Sequence, residues 1–147
     1  MVGCYKSSLK LPLRGEELDN ADIELFSEPS EPREGAHADE GQLIEQVAQR
    51  YPGKAYCLVR DWTLFRAELT EAELAKVAAA GNIPLFLLAH NVVADSAGRF
   101  QPGNWLRSSI GVALVDGYFF ETRNTVYVLV GKGAEQKASL KTIFSFY

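Results

Sequence analysis

The stretch Trp105–Val130, WLRSSIGVALVDGYFFETRNTVYVLV, decides the fold. Two runs rich in β-branched and aromatic residues flank Asp116-Gly117. Both central positions of a type I′ turn need positive φ, which this dipeptide tolerates, so a tight hairpin is predicted. With a two-residue loop, Gly111 faces Thr122, Ala113 faces Phe120, Ser109 faces Asn124 and Arg107 faces Val126. That register gathers Arg107, Ser109, Thr122 and Asn124 on one sheet face. Gly111 lies within this patch, and its missing side chain leaves room for a ligand or another backbone. Neither face of the hairpin is cleanly apolar, and a bend near Arg123-Asn124 is expected to switch the alternation.

Upstream, Ile83–Ala94 reads as a strand. DSAGR follows as a turn, with Gly98 at its positive-φ position. The reversal brings His90 and Asn91 near Asn104, Trp105 and Arg107. Thr70-Glu71-Ala72-Glu73 matches a capping box and Gly81 suits a left-handed terminus, which places a helix at about residues 71–80. Ala55–Trp62 reads as a buried strand. Leu43, Ile44, Val47 and Tyr51 fall at helical spacing between Asp39, a capping residue, and Pro52-Gly53. Downstream, GKGAEQKAS reads as a loop, and LKTIFSFY as a final strand or docked tail. The expected fold is α+β: an antiparallel β-meander with two helices on one face.

The chain has 147 residues, of which 47% are hydrophobic and 23% charged, the profile of one globular domain. Formal charge is −4, and residues 1–38 carry all of it, with eight carboxylates against Lys6, Lys10, Arg14 and Arg33. Residues 1–38 therefore read as an acidic arm and 39–147 as the domain. Ser27–Ala38 has the composition of a linker or exposed loop, and ADIELFS that of a short added strand. An acidic arm is ordinarily a solvated one; its functional reading is docking on a basic partner. The charge argues against nucleic-acid binding, even with Trp62, Phe100, Trp105 and Tyr127 near Arg99, Arg107 and Arg123 as stacking groups. The longest clean apolar run, Ile83–Ala89, is too short to span a bilayer, and the N-terminus lacks an apolar secretory core. Two cysteines make no disulfide framework. A soluble protein of a reducing cytoplasm is expected.

Catalytic signatures are weak. His37 and His90 lack metal-ligand spacing, so neither metal nor cofactor is expected. Cys57 or Ser109 can be combined with His90 and Asp95 on paper, but no nucleophile elbow supports them, and Cys57 reads as a buried, unreactive thiol. GKGAEQKAS lacks phosphate-loop spacing. Asp61 lies beside Arg60, for which an ion pair is the simpler account.

YCLVRDW (Tyr56–Trp62), AHNVVADSAGRFQPGNWLRSS (Ala89–Ser109) and FETRNTVYVLVGKG (Phe120–Gly133) resemble a family of small uncharacterised bacterial proteins, a domain of unknown function seen in chromosomes and prophages. The resemblance spans Tyr56–Gly133. It implies a compact accessory protein and carries no activity, substrate or catalytic residue with it. A prophage setting would point to an inhibitor or regulator.

The function expected is a non-enzymatic binding or regulatory module whose partner is another protein. The candidate contact residues are His90, Asn91, Arg107, Ser109, Thr122 and Asn124, with the acidic arm as a second surface. One alternative is a small enzyme using His90 as general acid/base and Arg107 to hold an anionic substrate. Another is a self-associating subunit joined through the strand edge Thr125–Val130.

Overall fold

A computed structural model describes residues 3–5 and 30–145. The ADIELFS strand, most of the acidic arm and the last two residues of the expected tail lie outside the described residues. In chain order the elements are β1 (Gly3–Tyr5), β2 (Ser30–Glu34), α1 (Glu40–Arg50), β3 (Ala55–Ala67), α2 (Glu71–Ala79) and β4 (Leu85–Asp95). They continue with β5 (Trp105–Arg107), β6 (Gly111–Val115), β7 (Phe119–Thr122), β8 (Thr125–Leu129), β9 (Lys132–Ala138) and α3 (Leu140–Ile143).

The nine strands of the described residues form one sheet, ordered β1-β5-β4-β3-β8-β7-β6, with β9 beside the far half of β3 and β2 beside β9. The fold is α+β, but the sheet is mixed and is no antiparallel meander. β3 is the reason. Along one side it runs antiparallel to β4; on the other, its first half pairs parallel with β8 and its second half parallel with β9.

A hairpin does form at Asp116-Gly117, with φ of 57° and 79°, but Val115 pairs with Phe119, so its loop holds three residues, Asp116 to Tyr118, rather than the two expected; Gly111 still pairs with Thr122. The extra loop residue makes Ala113 pair with Glu121 rather than Phe120, and an irregularity between Ala113 and Gly111 then restores the expected register. Gly111 accommodates no ligand. A Cβ there would meet the Phe120 ring at 2.7 Å, so the glycine serves core packing.

The two long strands expected around that turn are each broken. Ser108 interrupts the first: its Oγ accepts the Leu87 N–H at 2.9 Å and donates to the Ser109 carbonyl at 2.7 Å. A hydroxyl thus replaces a backbone group, and β5 stays beside β4 while β6 pairs with β7. Arg123-Asn124 breaks the second into the β7–β8 hairpin, where Thr122 Oγ1 donates to the Thr125 carbonyl at 3.1 Å.

Two segments read as loops are strands. β9 is paired on both flanks, by β2 and β3, so its backbone is satisfied whatever its polarity. Its Gly133 lies under Trp62, whose indole occupies the place a Cβ would take. Glu135 links the three strands, accepting from Arg33 Nε at 3.3 Å and Arg66 Nε at 2.9 Å.

β3 sorts the core. Cys57, Val59, Trp62 and Leu64 point to one face and join Leu87, Leu106, Phe120, Tyr127 and Leu129 inside the curl of the sheet. On the other face Leu58 packs with Leu43 and Val47 of α1, each such side chain contributing about 1.5–3 kcal/mol. Farther along, Phe65 packs with Phe86, Trp105 and Ile143 of α3. The tail is therefore docked, as a short helix rather than a strand.

Asp39 caps α1 and the Thr70–Glu73 box caps α2, both as expected. Yet α2 buries none of its residues, so the expected pair of helices on one face reduces to α1. The apolar stripe of α2, Leu74 and Val77 among alanines, is too narrow to hold it against the sheet. Among the described residues no helix is long and apolar enough to cross a membrane.

Candidate functional site

The structure separates most of the residues singled out from sequence. Arg107 pairs with Leu88 and Gly3, not Val126, and its guanidinium lies 4.8 Å from the Phe144 ring centre. Ser109 falls between β5 and β6. Thr122 is buried and Asn124 exposed in the turn that follows. These four share no face, because Ser108 ends β5 before the hairpin register begins. The edge expected for self-association is internal: β8 is buried throughout, between β3 and β7.

His90 and Asn91 do lie where expected, beside Asn104 and Trp105. Val92 N–H donates to the Asn104 carbonyl and Gly103 N–H to the Val92 carbonyl, both at 2.9 Å. They belong to a transverse crease in the sheet. On β3, Val59 and Trp62 are both inward and buried; on β4, Ala89 and Val92 are. Simple alternation would not give that spacing. Two consecutive residues on each strand are therefore excluded from the interior: Arg60 and Asp61 on β3, His90 and Asn91 on β4. Arg60 pairs with Asn91, and Asp61 falls opposite His90.

Asp61 makes the crease. Its φ is 53°, left-handed backbone within a strand, which a short polar side chain tolerates better than most. On the other flank of β3 the sheet passes from β8 to β9. Trp62 pins that junction by donating its indole N–H to the Val130 carbonyl at 3.2 Å.

Arg60, Asp61 and His90 are exposed and Asn91 is half-buried. Among the described residues Arg60 and Asp61 form no salt bridge with each other, contrary to the simple sequence account. Desolvation by the surrounding protein holds His90 below the usual histidine pKa, and the Asp61 carboxylate opposes that shift. The crease thus offers a cation, an anion, an amide and an imidazole biased toward its neutral form. Sequence reading found two of the four. The signal for the others was the polar dipeptide Arg60-Asp61 inside an otherwise strand-forming run.

Asp95 serves the structure. Its buried carboxylate accepts the backbone N–H of Arg99 at 2.6 Å and of Phe100 at 3.1 Å, and Arg99 Nη2 at 3.0 Å. Arg99 Nη1 reaches Thr125 Oγ1 at 3.0 Å. Burial pushes the Asp95 pKa up, but the bonds from Arg99 and Phe100 together outweigh it, leaving the acid below the usual carboxylate value. Among the described residues no group of three or more His, Cys, Asp or Glu side chains is placed to hold a metal ion. A separate groove of about 600 Å³ runs between α2 and the ends of β3 and β9, lined in part by Ala67, Leu69, Leu74 and Pro84.

A curled mixed sheet with a polar crease on its outer side defines a small α+β domain. The chain belongs to the family described as a domain of unknown function, DUF6957, matched over residues 34–145. That match extends beyond the resemblance noted in the sequence at both ends. No curated protein and no solved structure matches the chain.

Proposed function

We propose that the chain is a binding module for another protein and that the crease is its contact surface, with Arg60, Asp61, His90 and Asn91 as the contact groups. The observation that carries this reading is Asp61 itself. A non-glycine residue in left-handed backbone within a strand costs about 1–3 kcal/mol, and such strain concentrates at binding and switch sites. Here it turns two polar side chains per strand to the outside, in register, without joining them to one another. Four different hydrogen-bonding chemistries on rigid strands suit a specific polar contact. The acidic excess of residues 1–38 favours a partner with a basic surface.

A photo-crosslinking amino acid placed at Asn91, and separately at Lys76 on α2, tests the proposal in living cells. The expected result is a discrete adduct from position 91 that is lost in Arg60→Glu. Identical adducts from both positions, or an adduct indifferent to Arg60→Glu, would overturn it.

A further inference from the structure

The outer face of β3 is covered twice, by α1 over Leu58 and by α3 over Phe65. The crease is the strip between them, and it runs across the strands rather than along them. At the β8–β9 junction its floor is bare backbone. Gly131, at φ 72°, follows Val130, whose N–H donates to the Val59 carbonyl at 2.9 Å. A Cβ on Gly131 would stand 3.3 Å from Arg60 Nη1, so the guanidinium leans away from β4 and lies against this glycine.

That lean sorts the charge. The cation sits over the β8–β9 junction, while Asp61 and His90 stand opposite each other on β3 and β4 with Asn91 beside them. No side-chain hydrogen bond or salt bridge with another described residue occupies any of the four. Adjacent strands lie about 4.8 Å apart. The guanidinium is displaced by about one spacing to one side of β3 and the Asp61–His90 pair by about half a spacing to the other, which sets the two ends of the strip about 7 Å apart. An extended chain advances about that far in two residues, and side chains two positions apart share a face.

Resting on the reading of the crease as a protein-contact surface, we infer that its occupant is an extended segment of the partner protein with an acidic and a basic side chain two positions apart, the carboxylate on Arg60 and the cation between Asp61 and His90. The planar fork of Arg60 matches a carboxylate. At the other end the Asp61 carboxylate, the Asn91 amide oxygen and a ring nitrogen of neutral His90 accept from an ammonium or guanidinium. Charge decides the class of segment. Arg60 and Asp61 cancel, so a wholly acidic or wholly basic segment would set one of its charges against a like charge in the strip. A phosphate group, with nearly two negative charges, would meet Asp61 with Arg60 alone to offset them.

Panning the full chain against a display library of random linear peptides tests the inference, with the Arg60→Gln and Asp61→Asn chains as counter-screens. Asparagine tolerates left-handed backbone as aspartate does, so the second variant keeps the crease and removes its anion. The expected result is a set of peptides with an acidic and a basic residue two positions apart, whose binding falls by about tenfold or more in each variant. Peptides of one charge sign, peptides without charge, or peptides that bind both variants unchanged would overturn it, as would a library that yields no binder. None of these outcomes touches the broader reading, which stands or falls on the adduct from position 91.

Discussion

Asp61 stands opposite His90 in the β3–β4 ladder, and both side chains lie open to solvent between two buried apolar clusters. Partial desolvation by the neighbouring protein lowers the pKa of the His90 imidazole, while the Asp61 carboxylate raises it. Asp61→Asn should therefore move the His90 midpoint to still lower pH, as followed by the imidazole carbon-bound proton in an NMR titration. An upward movement would show that Asp61 does not act on the ring.

The same group sets a sign for stability. A histidine depressed in the folded state binds fewer protons than in the unfolded chain, so stability falls as pH drops from about 6.5 toward the folded value. His90→Asn should flatten that part of a urea-midpoint against pH curve. A curve of unchanged slope would assign the effect to other groups.

Removing Asp95 leaves the Arg99 guanidinium and two backbone N–H groups unanswered. Asp95→Ala is expected to cost about 2–3 kcal/mol at neutral pH, discounted for the partial exposure of Arg99 and measured by urea unfolding. Because the folded pKa of Asp95 is depressed, its contribution is present above about pH 4 and is lost as pH falls through the folded value. The gap between wild type and variant should narrow in acid.

Gly133→Ala places a methyl group where the Trp62 indole lies. The buried ring has no room to retreat, so a loss of about 2–3 kcal/mol is expected, with altered tryptophan fluorescence. An unchanged melting temperature would place the ring elsewhere.

α2 should respond only locally. Thr70→Ala removes the hydroxyl that accepts the Glu73 N–H, at a cost of about 1 kcal/mol to the helix. Since no residue of α2 is buried, hydrogen exchange within residues 71–79 should accelerate while the global unfolding midpoint moves little.

Local chemistry was legible where it acts alone. Asp116-Gly117 specified the place of its turn, though not its three-residue length, Thr70–Glu73 its cap, and Asp39 the start of α1. Pairing partners were not legible. KGAEQKA has no apolar period, and β9 becomes a strand because β2 and β3 flank it, a fact held elsewhere in the chain. The hydroxyl of Ser108 ended a strand that β propensity alone would have continued, and with it went the expected convergence of Arg107, Ser109, Thr122 and Asn124. His90 and Asn91 were found because one reversal brings them to Trp105. Arg60 and Asp61 were passed over because adjacent opposite charges read as a mutual pair, whereas the backbone conformation of Asp61 is visible only in three dimensions.

The pairing of β3 has a consequence for synthesis. One flank is completed by β4, the next strand in the chain, but the other waits for β8 and β9, more than fifty residues beyond the end of β3. A nascent chain thus emerges from the ribosome with its longest strand half-paired and its hydrogen-bonding edge uncovered. The sheet closes only after β8 and β9 have been translated, a route that is slow and exposed to misassembly until then. Truncation before Thr125 should leave an aggregating fragment rather than a smaller folded domain.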